Sequence, residues 1–258
     1  INENNNADKL DSKVREALSK KEVRQALNLA INREQIVKEV AKGGQTPAWS
    51  FVPKGIKSED GKEFADKQYW NPEDNDANIA KAKELLAKAG YKDGNGLPEF
   101  ELAYNTDEGN KAIAEAIQQM WAKIGVKVKL TNQEWAVFQD ARKNGNYQIA
   151  RHGWVGDYLD PMTFLDMWMT GLGNNDPKFA NKDYDELIRK AMKETDVAKR
   201  KEALRQAEDI LMDEMPIIPI YYYTQVKAVD SKVKGFVVSP LGQVYYDKAY
   251  ICLLYTSP

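Results

Sequence analysis

The chain has 258 residues, 43% of them apolar and 29% charged, with a net charge of -2. That composition belongs to a soluble globular protein with one large domain or two modest ones. Interspersed charges give no basic stripe for nucleic acid, no apolar run approaches the roughly 20 residues of a membrane span, and one cysteine with one histidine excludes a Cys/His zinc site.

The chain opens on a polar stretch, INENNNADKL, without an initiator methionine or signal peptide, and is read as starting inside a longer protein. Val23, Ala26, Leu27, Ala30 and Ile31 recur at helical spacing. Asn32 with Gln35 forms a capping-box pattern ahead of IVKEVAKGG, and Gly43 and Gly44 are expected to stop that helix. Residues 45–74 hold scattered prolines and glycines and read as an irregular surface loop. Beyond Asp76 the period is helical again, with Ile79, Leu85, Leu86 and Ala89 on one face and Gly90 at the end.

FELAY (100–104) reads as a strand, GNKAIAEAIQQMWAKIG as a helix with Ile113, Ala116, Ile117 and Met120 inward, and VKVKL (126–130) as a half-exposed strand. A short helix, EWAVFQDARKNG, and a short strand, YQIA (147–150), follow. This β-α-β-α-β order predicts an α/β layer with parallel pairing. FLDMWMTG is mixed and GLGNNDP is a loop. Asp183 and Glu186 predict a capping box for DELIRKAMKE, and a second helix runs from about Asp196 to Met212. MPIIPIYYY reads as an apolar strand, and QVKAVDS, GFVVS and QVYYDKAYI as short strand-like pieces. The tail CLLYTSP matches nothing before it and is read as non-native.

The stretch ARHGWVGDYLDP (150–161) concentrates the chemistry. It holds Arg151, the lone His152, Trp154, Asp157 and Asp160. No serine or cysteine sits in a nucleophile-elbow pattern, and Arg151 is expected to lower the His152 pKa. Asp157 and Asp160 leave an Asp-dependent hydrolase as an alternative, though glycosidase carboxylates usually come from different segments. Asp157-Tyr158-Leu159-Asp160 has too few ligands for a calcium loop, NNDP (174–177) reads as a turn, and GLGNN lacks a Walker lysine. Binding suits the stretch better. Asp157 stands between Trp154 and Tyr158, a carboxylate with aromatic walls for a cationic amine. Gly153 and Gly156 let the backbone come close to a partner. The competing reading makes Trp154 a core residue and Asp157 a turn residue.

The order of segments resembles the C-terminal half of oligopeptide-binding proteins, the substrate-binding receptors of peptide ABC importers within the large peptide/nickel-binding class. The resemblance is carried by VRQALNLAINREQIVKEV, NQEWAVFQDARKNGNYQIARHGWVGDYLDPMTFLDMW, GNN and MPIIPIYYYTQVKAV, over about residues 20–250. It implies a bilobed, hinged receptor outside the cytoplasm, free in a periplasm or lipid-anchored, that delivers peptides to an importer. Residues 10–222 would form the second α/β lobe, with a periplasmic-binding-protein-like sheet and flanking helices. Residues 223–251 would be strands returning to the first lobe, and 252–258 a non-native tail.

By the same resemblance Asp157 pairs with the peptide's α-ammonium group, and Trp154 and Trp135 wall side-chain pockets. Arg142 and Arg151 meet the carboxylate, and Tyr223 contacts the ligand. Asn110 stands where some members carry a histidine. His152 matches no binding residue. The reading is of a monomeric binding protein, not an enzyme, without cofactor or metal. A receptor of the same fold for a sugar, a metal chelate or a signalling peptide is the alternative.

Overall fold

The computed structural model of the chain describes residues 1–3, 10–71, 73–239 and 242–252. Asp11 opens α1 (Ser12–Ser19) by accepting from the backbone N–H of Lys13 and Val14. α2 (Lys21–Leu29) buries Val23, Ala26 and Leu27, the face its spacing predicts. Asn32 caps α3 (Arg33–Gln35) by accepting from the Gln35 N–H, as read from the sequence. The helix then widens into a π-helical turn over Ile36–Ala41. It ends at Lys42, which takes the left-handed conformation at φ 53, rather than at the glycines.

β1 (Thr46–Pro47) is short. α4 (Asn75–Lys88), capped by Asp74, lays Ala82 and Leu86 on α2. Then come β2 (Phe100–Asn105), α5 (Glu108–Ala122), β3 (Val128–Gln133), α6 (Trp135–Lys143) and β4 (Ile149–Ala150). Both pairings of this sheet are parallel, in the order β3-β2-β4, with Phe100 opposite Val128 and Leu102 opposite Ile149. The expected α/β layer is therefore present, and antiparallel pairing is confined to shorter ladders elsewhere. The C-terminal ends of the parallel strands emerge along one edge, where α/β sheets place ligands.

A second apolar core gathers α7 (Met162–Leu165), a 3-10 turn (Asp166–Trp168), α8 (Lys182–Lys193) and α9 (Val197–Glu214). α8 is capped by Asn181, which accepts from the Tyr184 N–H, and not by Asp183. Asn175 is buried and ties this region. Its amide donates to the carbonyls of Trp168, Met169 and Phe179 while its oxygen accepts the Phe179 N–H. Between β1 and α4 the described residues are irregular, as expected, but they are not a surface loop throughout. Val52 and Phe64 are 0% exposed and belong to this second core. Burying side chains of that size is worth roughly 1.5–3 kcal/mol each.

Leu29 and Ile218 pack against both cores. The run that carries Ile218 continues into β5 (Tyr221–Tyr222), which pairs antiparallel with β1, Thr46 opposite Tyr222. Arg33, buried and with no carboxylate partner among the described residues, fixes this run by donating to the Pro219 carbonyl at 2.8 Å. Past it lie β6 (Val233–Lys234), β7 (Val237–Val238), β8 (Val244–Tyr245) and β9 (Tyr250–Ile251), paired β6–β9 and β7–β8. QVKAVDS, expected to be strand-like, forms no strand. Residues 253–258 of the suspected non-native tail lie outside the described residues, and Cys252 donates its N–H to the Lys232 carbonyl. Among the described residues no helix is long and apolar enough to cross a membrane.

Candidate cleft and its charged ends

The site begins where β4 stops. The Arg151 N–H still donates to the Ala103 carbonyl at 2.8 Å. The chain then runs on without regular structure, and among the described residues no hydrogen bond reaches the main-chain N–H or C=O of residues 152–156. This segment walls a cavity of about 780 Å³. Other walls come from Phe51, residues 53–56, residues 217–223 and part of the stretch past them, Gln225 and Val238 included, and Asn110 and Arg142 reach in from the start of α5 and the end of α6.

Arg151 donates from Nη2 to the Tyr223 hydroxyl at 2.9 Å. Gly153 makes that approach possible, because a Cβ there would lie 2.2 Å from the Tyr223 Oη. Arg142 donates to the Arg151 carbonyl at 3.3 Å, and its Nε lies 3.2 Å from the Asp176 Oδ2. Burial lowers the Arg142 pKa from its ordinary value, and the Arg151 charge adds to this against the opposing pull of Asp176. His152 Nε2 reaches the same Asp176 oxygen at 3.5 Å. Its imidazole is held below the ordinary range by burial first and then by Arg142, not by its sequence neighbour Arg151 as expected.

Trp154 is half-buried and donates from Nε1 to the Thr163 carbonyl at 2.9 Å. It lines both the large cavity and a smaller one of about 300 Å³. Asp157 lines only the smaller one, with Tyr158 and Asp166. Its side chain is exposed and forms no ion pair among the described residues, while its N–H donates to the Thr163 hydroxyl. Burial, and then the charges of Asp157 and Asp160, raise the Asp166 carboxyl. Asp160 is committed elsewhere. Both its oxygens accept from Arg200, at 2.8 and 2.9 Å, and one also accepts the Met162 N–H. The Asp157–Asp160 pair therefore offers one available carboxylate, not an acid/base couple.

The large cavity thus brings together Asn110, Arg142, Arg151, Trp154 and Tyr223. Asn110 is fixed by its N–H to Asp107 Oδ1 and its amide to Asn105 Oδ1. Asp157 stands next door across Trp154. Trp135 lines neither cavity; it lies 49% exposed against Phe138. Phe51, His152 and Asp176 also line the cavity, though none was singled out for binding from the sequence. No local pattern marks Asp176, whose NNDP context reads as a turn. Among the described residues no group of three or more His, Cys, Asp or Glu is placed to hold a metal ion.

The profile of the bacterial extracellular solute-binding proteins, family 5 Middle, matches residues 1–176. The oligopeptide-binding protein OppA of Bacillus subtilis is 40% identical over 234 residues, 88% of this chain and 42% of that protein. The periplasmic murein peptide-binding protein MppA of Escherichia coli is 37% identical over 227 residues, 88% of this chain and 41% of that protein. Among solved structures, Haemophilus influenzae OppA in complex with RPPGFSPFR superposes with a TM-score of 0.76 at 34% identity, covering 90% of this chain and 45% of that one. The chain spans less than half the length of each of these relatives.

Proposed function

This chain belongs to the bacterial extracellular solute-binding proteins of family 5, and from that premise we propose that it forms the peptide-gripping lobe of a receptor that delivers oligopeptides to an ABC importer. The observation that carries this reading is the unpaired main chain of residues 152–156 along the cavity wall. An extended peptide has donors and acceptors at the same repeat, so it can add to that edge as a strand does. Such bonds ignore side-chain identity, which suits a receptor for many peptides.

The two ends of the edge differ in charge. Asp157 at one end, beside Trp154, is an exposed carboxylate with no ion pair among the described residues, suited to the peptide's α-ammonium group. Arg151, hydrogen-bonded to Tyr223 at the other, is suited to the carboxylate. Trp154 walls a side-chain pocket between them. Asn110 and Arg142 complete the carboxylate end, and Trp135 would join only if the rim moves. Residues 10–222 form the lobe and 223–251 lead to the other lobe. Closure of the lobes on the peptide is the signal read by the importer. The receptor works as a monomer outside the cytoplasm, lipid-anchored or free, and binds its cargo without transforming it.

Calorimetric titration of the full-length protein with free and N-acetylated peptides tests this. Acetylation removes the ammonium charge, so affinity is expected to fall by about 1.5–3 kcal/mol, the worth of a charge-assisted hydrogen bond. Asp157→Asn is expected to lose a similar amount for the free peptide and nothing further for the acetylated one. Equal affinity for both peptides in the native protein rules out the role of Asp157.

A further inference from the structure

The carboxylate end of the cleft holds an internal anion. Asp176 is 5% exposed and lines the same cavity as Arg142, Arg151 and His152. One of its oxygens, Oδ2, takes Arg142 Nε at 3.2 Å and His152 Nε2 at 3.5 Å. The Arg142 contact is a loose one: its Nε is buried and makes no directed hydrogen bond, so charge rather than a fitted fork holds the pair. Arg151 has no such anionic partner among the described residues; its guanidinium donates to the Tyr223 hydroxyl.

We propose that Asp176 is a specificity-determining residue that occupies Arg142 while His152 is neutral, and that a proton taken up by His152 shifts Asp176 onto the imidazolium, frees Arg142 and tightens the hold on an anionic ligand group. The inference rests on the peptide reading above, in which that group is the peptide carboxylate. The groups facing His152 are Arg142 from α6, Asp176 from the loop before α8, the Trp168 ring at 6.0 Å and the Ile1 amino group. Tyr147 and Lys178 face the Asp176 carboxylate. Burial taken alone would raise that carboxyl, but the hydrogen bond from His152 and the Arg142 charge outweigh it and hold Asp176 below its ordinary value. Asp176 is thus an anion near neutral pH.

The direction follows from linkage. His152 sits below the ordinary imidazole range and is neutral near pH 7. A ligand carboxylate, anionic above about pH 4, favours its protonated form, so binding takes up a proton and affinity rises as pH falls. The peptide's own termini change little between about pH 7 and pH 5.

The test is equilibrium ultrafiltration of the full-length protein with random tetrapeptides, as free acids and as C-terminal amides, at about pH 7 and pH 5. Retention is read by mass spectrometry. Free-acid retention is expected to rise about three- to tenfold on acidification, the scale of one partly screened charge a few ångströms away. Amides are expected to respond little. His152→Gln should flatten the free-acid response. Asp176→Asn should bring retention at the higher pH up to the acid level. Proton uptake on binding, measured by calorimetry in two buffers of different ionisation heat, checks the native protein without any substitution. An amide response as large as the free-acid one, an unchanged response in His152→Gln, or no proton uptake overturns the inference. Retention of neither pool at either pH overturns the peptide reading itself.

Discussion

Gly153 is dictated by a residue far along the chain. Its missing Cβ leaves room for the Tyr223 hydroxyl, which in turn accepts from Arg151. Gly153→Ala is therefore expected to push Tyr223 aside and lower peptide affinity about tenfold, while Tyr223→Phe, which loses one hydrogen bond and no shape, costs about 0.5–1.5 kcal/mol. Both leave the cores untouched, so the thermal midpoint should move by no more than about 2–4 °C. Titration of both variants checks this, and native affinity in Gly153→Ala would show that Tyr223 plays no part. That Trp154 and Asp157 line one small cavity was legible because they stand three positions apart and no fold is needed to bring them together. Arg142 with Asp176 was not, since an ion pair between a helix end and a distant loop leaves no local spacing to read. His152 misled for a related reason. Neighbours along an extended chain point to opposite sides, so Arg151 turns toward Tyr223 while His152 turns toward Asp176.

The contact between α9 and residues 48–56 shows how an element can hold a cavity wall that has no secondary structure. Glu208 is 0% exposed, and its Oε1 accepts the N–H groups of Phe51 and Val52 at 3.1 and 2.9 Å. Arg205 and Tyr69 approach its other oxygen. Burial raises its pKa from 4.5 to about 7, against the backbone N–H bonds and Arg205. The folded state therefore holds this proton more tightly than the unfolded chain does. The Glu208 contribution to stability is fullest below about pH 4.5 and is lost as pH rises through about 7. Between those limits the difference is on the order of 3 kcal/mol. Glu208→Gln is expected to remove this slope, so that thermal unfolding across that range falls less steeply with rising pH than in the native protein; parallel curves would rule it out. The sequence shows the irregularity of residues 45–74 but not their burial, because a segment whose N–H groups are satisfied by side chains needs no hydrophobic period. Element type was readable across the α/β layer, and the misses lie at ends. The Val126 N–H returns to the Trp121 carbonyl to close α5, so pairing with β2 begins at Val128. The Asn181 cap sits two residues before the one expected for α8.

At the scale of the molecule, neither core includes a described residue of 224–252, and several apolar side chains of that stretch lie open. Val226 is 83% exposed, Tyr246 67% and Ile251 66%, and among the described residues of this stretch no hydrophobic one is buried. Removing residues 225–258 is accordingly expected to shift the thermal midpoint of the chain by only about 2–4 °C, the effect of roughly 1 kcal/mol in a protein of this size. A large drop would place those residues in the core after all. The order of the elements, and hence the family resemblance, was legible because a β-α-β-α-β alternation survives small errors at every boundary. What the cleft can do alone was not, since that depends on which surfaces exclude water. Asp157 and Arg151 offer charges to a peptide from one side only. Left open to solvent, such a pair is worth about 0–1 kcal/mol, against about 1.5–3 kcal/mol once water is shut out. With both peptide ends affected, these residues alone are expected to bind the same peptide about ten- to a hundredfold more weakly than the full-length protein, each factor of ten being about 1.4 kcal/mol. Equilibrium dialysis of the two proteins against one labelled peptide decides it. Equal affinity would mean that the strand edge along residues 152–156 does the binding unaided, and that closure serves only to report it.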